Sequence, residues 1–164
     1  TVAGATTGVG ALSKTGVGSV RLDGAADLAG LTTVGAGVLE VASGRLAGGL
    51  AGSGAFTKVG AGLLVLSGDS AGFSGQTTVA AGELRVATTA SLNGLATAGR
   101  WSAASGATVS FADAVSQTDV VAALASGNFA SGSFLGLDVA TERAFTADLA
   151  GAQGLTRFTD RCLV

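Results

Sequence analysis

Aliphatic residues alternate with small or polar ones in four short runs: Ser19-Val20-Arg21-Leu22, Val38-Leu39-Glu40-Val41, Leu63-Leu64-Val65-Leu66 and Glu83-Leu84-Arg85-Val86. A period of two is that of a half-buried strand. Val20, Leu22, Leu39, Val41, Leu64, Leu66, Leu84 and Val86 are therefore expected to point inward, and Arg21, Glu40, Glu83 and Arg85 outward. A glycine-rich step precedes each run: Gly16-Val17-Gly18, Gly35-Ala36-Gly37, Gly60-Ala61-Gly62 and Ala80-Ala81-Gly82. Glycine at this density costs a helix about 1 kcal/mol per position relative to alanine, but it suits a sharp corner between strands. Strands returning about every 20 residues predict a solenoid in which coils stack strand on strand and the inward residues form aliphatic ladders.

The chain also repeats itself over a longer interval. Residues 11–41 recur as 55–86, with Lys58 in the place of Lys14 and Thr77 in the place of Thr32. Thr32–Val34 and Thr77–Val79 read as a second face of a coil, and Leu12 and Phe56 as lying on a third. Residues 106–111 look like a further coil, and 87–101 like a loop with Trp101 packed beneath it. Residues 116–127 break the pattern with a Ser or Thr cap, an early acid and a final glycine, the signature of a short helix near 117–126. Val120, Val121 and Leu124 are its expected inward residues. Strands are expected again at 133–139 and near 144–149. Gly151 to Arg157 lines up with Gly52 to Lys58, so a partial third copy is expected from about residue 151. Residues 1–164 are thus read as a single solenoid segment.

Composition narrows the function classes. Of 164 residues, 48% are hydrophobic but only 12% charged, with 28 Gly and no Pro, Met or His. That is the opposite of a disordered composition. No stretch is long and apolar enough for a membrane-spanning helix. The net charge is −2, without a basic cluster, so nucleic acid is not an expected partner. A chain lacking an initial Met is expected to be a processed product or part of a longer one. Cys162 is the single cysteine, which excludes an internal disulfide, and it reads as a small tail residue.

The segment Phe56-Thr57-Lys58-Val59-Gly60-Ala61-Gly62-Leu63-Leu64-Val65-Leu66-Ser67-Gly68, followed by Phe73-Ser74-Gly75-Gln76-Thr77-Thr78-Val79 and Ala81-Gly82-Glu83-Leu84-Arg85-Val86, resembles the autotransporter passenger-associated β-strand repeat. The earlier copy is degenerate, with Ala29-Gly30-Leu31 in place of the aromatic-Ser-Gly step. The resemblance implies a right-handed parallel β-helix in the passenger of a bacterial surface protein. It also implies an extracellular or cell-surface location, with type V secretion supplied by a part of the protein outside this chain.

Candidate chemistry is sparse. Without His, no Ser-His or Cys-His nucleophile can be assembled within the chain, and one Cys is too few for zinc. No catalytic, cofactor-binding or metal-ligating residue is assigned, and no cofactor is expected. Asp23 and Asp69 with Arg21 and Arg85 could be stretched into a polysaccharide-lyase set, but turn-capping aspartates beside solvated charges explain them better. Lys14 and Lys58 recur with the repeat and read as solvated charges at a fixed corner rather than as a ligand-binding row. Arg21 and Glu40 are expected to pair across one coil, worth about 0–1 kcal/mol if exposed. Leu63 and Val65 fall on the outer face, either covered by a loop or forming a contact surface.

The leading expectation is a structural passenger or stalk segment that contributes to adhesion through cell-surface or extracellular-matrix contacts. The alternative is an extracellular filament subunit self-associating through its coil ends. A carbohydrate-active β-helix enzyme is a weak third, and the chain is read as not an enzyme.

Overall fold

The computed structural model describes residues 1–138 and, for the backbone alone, the strand at Leu155–Asp160. The chain begins with β1 (Thr6–Gly8), β2 (Leu12–Lys14), β3 (Ser19–Leu28), β4 (Thr32–Val34) and β5 (Val38–Leu46). It continues through β6 (Leu50–Ala51), β7 (Ala55–Lys58), β8 (Leu63–Leu66), β9 (Thr77–Val79) and β10 (Glu83–Val86). Then come β11 (Trp101–Ala103), β12 (Thr108–Ala112), the helix α1 (Gln117–Ala125), β13 (Ser133–Asp138) and β14 (Leu155–Asp160). The strands pair in parallel throughout, so the chain is a β-solenoid with one short helix.

Three stacks of strands make its faces. One is β2-β4-β6. A second runs from the first half of β3 through the first half of β5 to β7, β9 and β11. The third joins β1, the second halves of β3 and β5, and β8, β10, β12, β13 and β14. β3 and β5 are long because each turns a corner and serves two faces. On the third face, Leu28, Leu46, Leu66, Val86, Phe111 and Leu137 lie in one column. Leu46, Leu66, Val86 and Phe111 are all at most 1% exposed; each such side chain contributes roughly 1.5–3 kcal/mol by leaving water.

The expected ladders form within each copy of the repeat but do not run from one copy into the next. Val20 lies beside Leu39, and Leu64 beside Leu84. Leu39 and Val41, however, lie beside Phe56 and Lys58, while Leu64 and Leu66 continue from Gly44 and Leu46. Two coils carry the chain from Leu28 to Leu66, a shorter stretch than the one from Lys14 to Lys58. The second copy therefore starts one face later: Lys14 belongs to the first stack and Lys58 to the second.

The helix occupies Gln117–Ala125. Ser116 caps it, its Oγ accepting the Asp119 amide at 3.1 Å, and Gly127 ends it at φ +74°. Val120 and Leu124 are buried as expected; Ala123 is the third buried residue, while Val121 is only half-buried. Trp101 is buried, but it opens a strand instead of closing the loop. Its Nε1 donates to Leu95 O at 2.8 Å and its ring meets Phe129 edge-on at 5.1 Å. The expected strand near 144–149 and the thiol of Cys162 lie outside the described residues.

Candidate functional site

The lysines overturn the sequence expectation: Lys14 is 7% exposed and Lys58 is fully buried. Each stands on an inward position of its strand, Lys58 between Val41 and Val79. A buried ammonium is tolerable only where acceptors replace its water, and the solenoid corner supplies them as backbone carbonyls. Lys58 Nζ donates to Val59 O at 2.7 Å, Gly60 O at 2.8 Å and Ala81 O at 3.1 Å. Lys14 Nζ donates to Gly16 O and, at 2.8 Å, to Ala36 O. In both cases the first acceptors belong to the lysine's own corner and the last to the corner of the following coil, so each lysine ties two coils together.

This arrangement explains the motif. Lys-x-Gly-x-Gly provides the ammonium and its own turn, and Ala-Gly one coil later provides the remaining carbonyl. The last glycine is required twice over. Gly37 and Gly82 have φ of +67° and +69°, and a Cβ there would lie 2.2 Å from Gly18 O and 2.4 Å from Gly60 O. Burial lowers the Lys58 pKa to about 8, against a smaller opposing pull from Glu83. With its side chain sealed from solvent and three carbonyls accepting from its nitrogen, Lys58 is a structural cation rather than a nucleophile.

The other charged residues of the sequence reading each have a local partner. Arg21 forms an ion pair with Asp23 in its own strand, and its Nη1 reaches Glu40 Oε2 at 3.9 Å across the coil, as expected. Arg85 pairs with Asp138 at 2.8 Å. Asp69 caps a turn, accepting the Ala71 amide at 2.8 Å. Asp23, by contrast, is used in the ion pair. These contacts tie Arg21 to Asp23 and Glu40, Arg85 to Asp138, and Asp69 to its own turn. Leu63 and Val65 are half-buried on the outer face, Val65 lying in register between Arg45 and Arg85.

Beyond β6 the first face is built from turns and α1 instead of strands, and these stack laterally. Asn128, which the sequence reading passed over, laces them: its Oδ1 accepts the Gly99 amide at 2.8 Å and its Nδ2 donates to Thr97 O at 2.9 Å. Thr89 Oγ1 donates to Asp119 Oδ2 at 2.8 Å, and Ser116 Oγ to the same oxygen at 2.7 Å. The Ser116 bond, then the Thr89 bond, holds the Asp119 pKa below its ordinary value. An open groove of about 420 Å³ between Asp69, Asn93, Thr97 and Asp119 follows this ridge. Among the described residues no group of three or more His, Cys, Asp or Glu is placed to hold a metal, and no helix is long and apolar enough to cross a membrane.

Two segments, residues 12–41 and 56–86, match the family described as Passenger-associated-transport-repeat. They are the two copies that carry the lysine corners. Neither the search of curated proteins nor that of solved structures gave a match.

Proposed function

We propose that residues 1–164 are one section of the structural shaft of a secreted or surface-exposed autotransporter-like passenger, carrying adhesive contacts along its sides. The observation that carries this reading is the continuous parallel pairing whose corners are tied by buried lysines in both family-matched copies. Lys14, Lys58, Arg85 and Asn128 bond from one coil to another, which is the chemistry of a scaffold. The proposal is tested by labelling intact cells that make the natural full-length protein with antibodies against this section. Labelling without permeabilisation is expected; labelling only after permeabilisation overturns the surface location. Binding of the purified chain to matrix-coated surfaces tests the adhesive role separately, and no retention above an unrelated solenoid removes it.

A second reading, a filament subunit stacked end to end, draws on the exposed apolar residues Val2, Val9, Val17, Val20 and Leu31, all of which precede β4. Electron microscopy across a concentration series separates the two. Filaments of solenoid width favour the subunit, and discrete rods the shaft.

A further inference from the structure

Asn93-Gly94 is the chain's single Asn-Gly step, and the fold holds the glycine in place. Gly94 turns at φ +72°, and a Cβ on it would lie 2.9 Å from the Arg100 side chain. No side chain at position 94 therefore screens the Asn93 carboxamide from the Gly94 amide. Gly94 O accepts the Thr97 amide at 2.8 Å, while Gly94 N donates to no acceptor among the described residues. Asn93 is half-buried and lines the open groove with Asp69, Thr97 and Asp119, so water has access to the step.

Arg100 supplies a fixed positive charge beside this step. Its Nη2 donates to Phe73 O at 3.0 Å, the same oxygen that accepts Asn93 Nδ2 at 2.6 Å, and its Nη1 donates to Ser74 O. A nearby cation favours an anion, here the deprotonated Gly94 amide and the oxyanion that its attack forms on Asn93. When the Asn93 nitrogen leaves, Phe73 O keeps Arg100 as a donor, so no acceptor is stranded. Asn128 differs on each count: Phe129 follows it, and its Oδ1 and Nδ2 are both bonded to backbone groups.

We propose that Asn93 is a modification site at which the folded chain deamidates itself through a cyclic imide. Gly94 N loses its proton to solvent and bonds to Asn93 Cγ; the Cγ–Nδ2 bond breaks, and Nδ2 takes up a proton and departs as ammonia. Water then opens the ring at either carbonyl. One opening leaves an aspartyl side chain, and the other an isoaspartyl link that carries the backbone through Asn93 Cβ and Cγ. Either product adds a negative charge to the groove that Asp69 and Asp119 already line. The isoaspartyl link also lengthens the turn between the buried Leu92 and Leu95, just ahead of the Thr97 carbonyl that Asn128 holds. The proposal is independent of where the protein resides.

The test ages the full chain in mildly alkaline buffer and follows it by peptide mass spectrometry and by enzymatic methylation of isoaspartyl groups. The expected result is an amide-to-acid mass gain in the peptide carrying Asn93, a rising isoaspartyl signal and an unchanged Asn128 peptide. Loss of the Asn93 amide only in denaturant overturns the proposal, as does equal loss at Asn93 and Asn128 in the folded chain. Asn93→Gln, whose longer side chain closes the ring poorly, is expected to remove the isoaspartyl signal; a signal that persists also overturns it. Arg100→Gln is expected to slow the folded-state rate by about tenfold, and Arg100→Lys to restore much of it. Hydrogen exchange of β8 to β10 checks that both variants keep the fold, and equal rates in all three chains overturn the part given to Arg100.

Discussion

Between Leu28 and Val86 each coil takes about 20 residues, and between Val86 and Leu137 about 25, yet the third face runs through both regions in unbroken register. The extra residues leave the ladder on the first face, where strands give way to turns and α1. The two regions also differ in what fills them. The repeat region uses mostly aliphatic residues, with Phe56, Phe73 and corner lysines; the later region adds Trp101, Phe111 and Phe129, with an asparagine between its insertions. A solenoid can thus change how it closes its coils while its strands continue to pair, because each coil needs only its neighbours to be complementary.

The largest break in this comparison is expected from Trp101→Ala. Removing a fully buried indole and its bond to Leu95 O should cost about 3–5 kcal/mol. Hydrogen exchange should show the loss concentrated in residues 87–132, with the pairing of β3, β5 and β8 retained; uniform loss from residue 1 onward would mean that the regions fold as one cooperative unit. Next is Lys58→Ala, which leaves a cavity and three carbonyls without their donor, a loss of roughly 2–4 kcal/mol by denaturant unfolding. Lys14→Ala should cost less, since that lysine has two acceptors where Lys58 has three and is less completely buried. Equal costs would mean that the third acceptor and the fuller burial of Lys58 add nothing to stability.

The lysine also gives the repeat region a pH signature. Lys58 releases its proton at about 8 when folded and near 10.5 when unfolded. Between those values the unfolded chain binds more protons, so stability should rise with pH there. Lys58→Met should flatten that rise, measurable as the change in unfolding midpoint across the interval between the two values. Asn128→Ala should cost about 1–3 kcal/mol through the stranded Gly99 amide and Thr97 carbonyl, read as faster exchange in both insertions. The smallest effect is Ser116→Ala, about 1 kcal/mol from the lost cap. It should speed exchange of the first α1 amides and leave β7 to β9 unchanged.

Period-two alternation and glycine spacing made the strands legible, and Ser116, Asp119 and Gly127 made the helix legible almost to its exact bounds. The burial of the lysines is not legible in this way, because charge beside glycine ordinarily means a solvated turn. The opposing signal was present in the spacing: Ala36 follows Lys14, and Ala81 follows Lys58, at a distance of one coil and a corner. Only the coil geometry reveals that this distance brings a carbonyl back to the ammonium. Trp101 read as a loop residue because its strand, Trp101–Ala103, is too short for an alternating pattern. Asn128 acts through backbone atoms of Thr97 and Gly99, which lie far back along the chain and carry no side-chain signature.

The one-face displacement between copies bears on display. Lys14 and Lys58 stand on neighbouring faces although they occupy the same place in the motif. Where such copies follow one another at this period, any outward residue written once into the motif is shown at a new azimuth each time, and after three copies it has been offered all the way round the shaft. A surface built this way has no back, and a partner meets the same chemistry from whichever side it approaches.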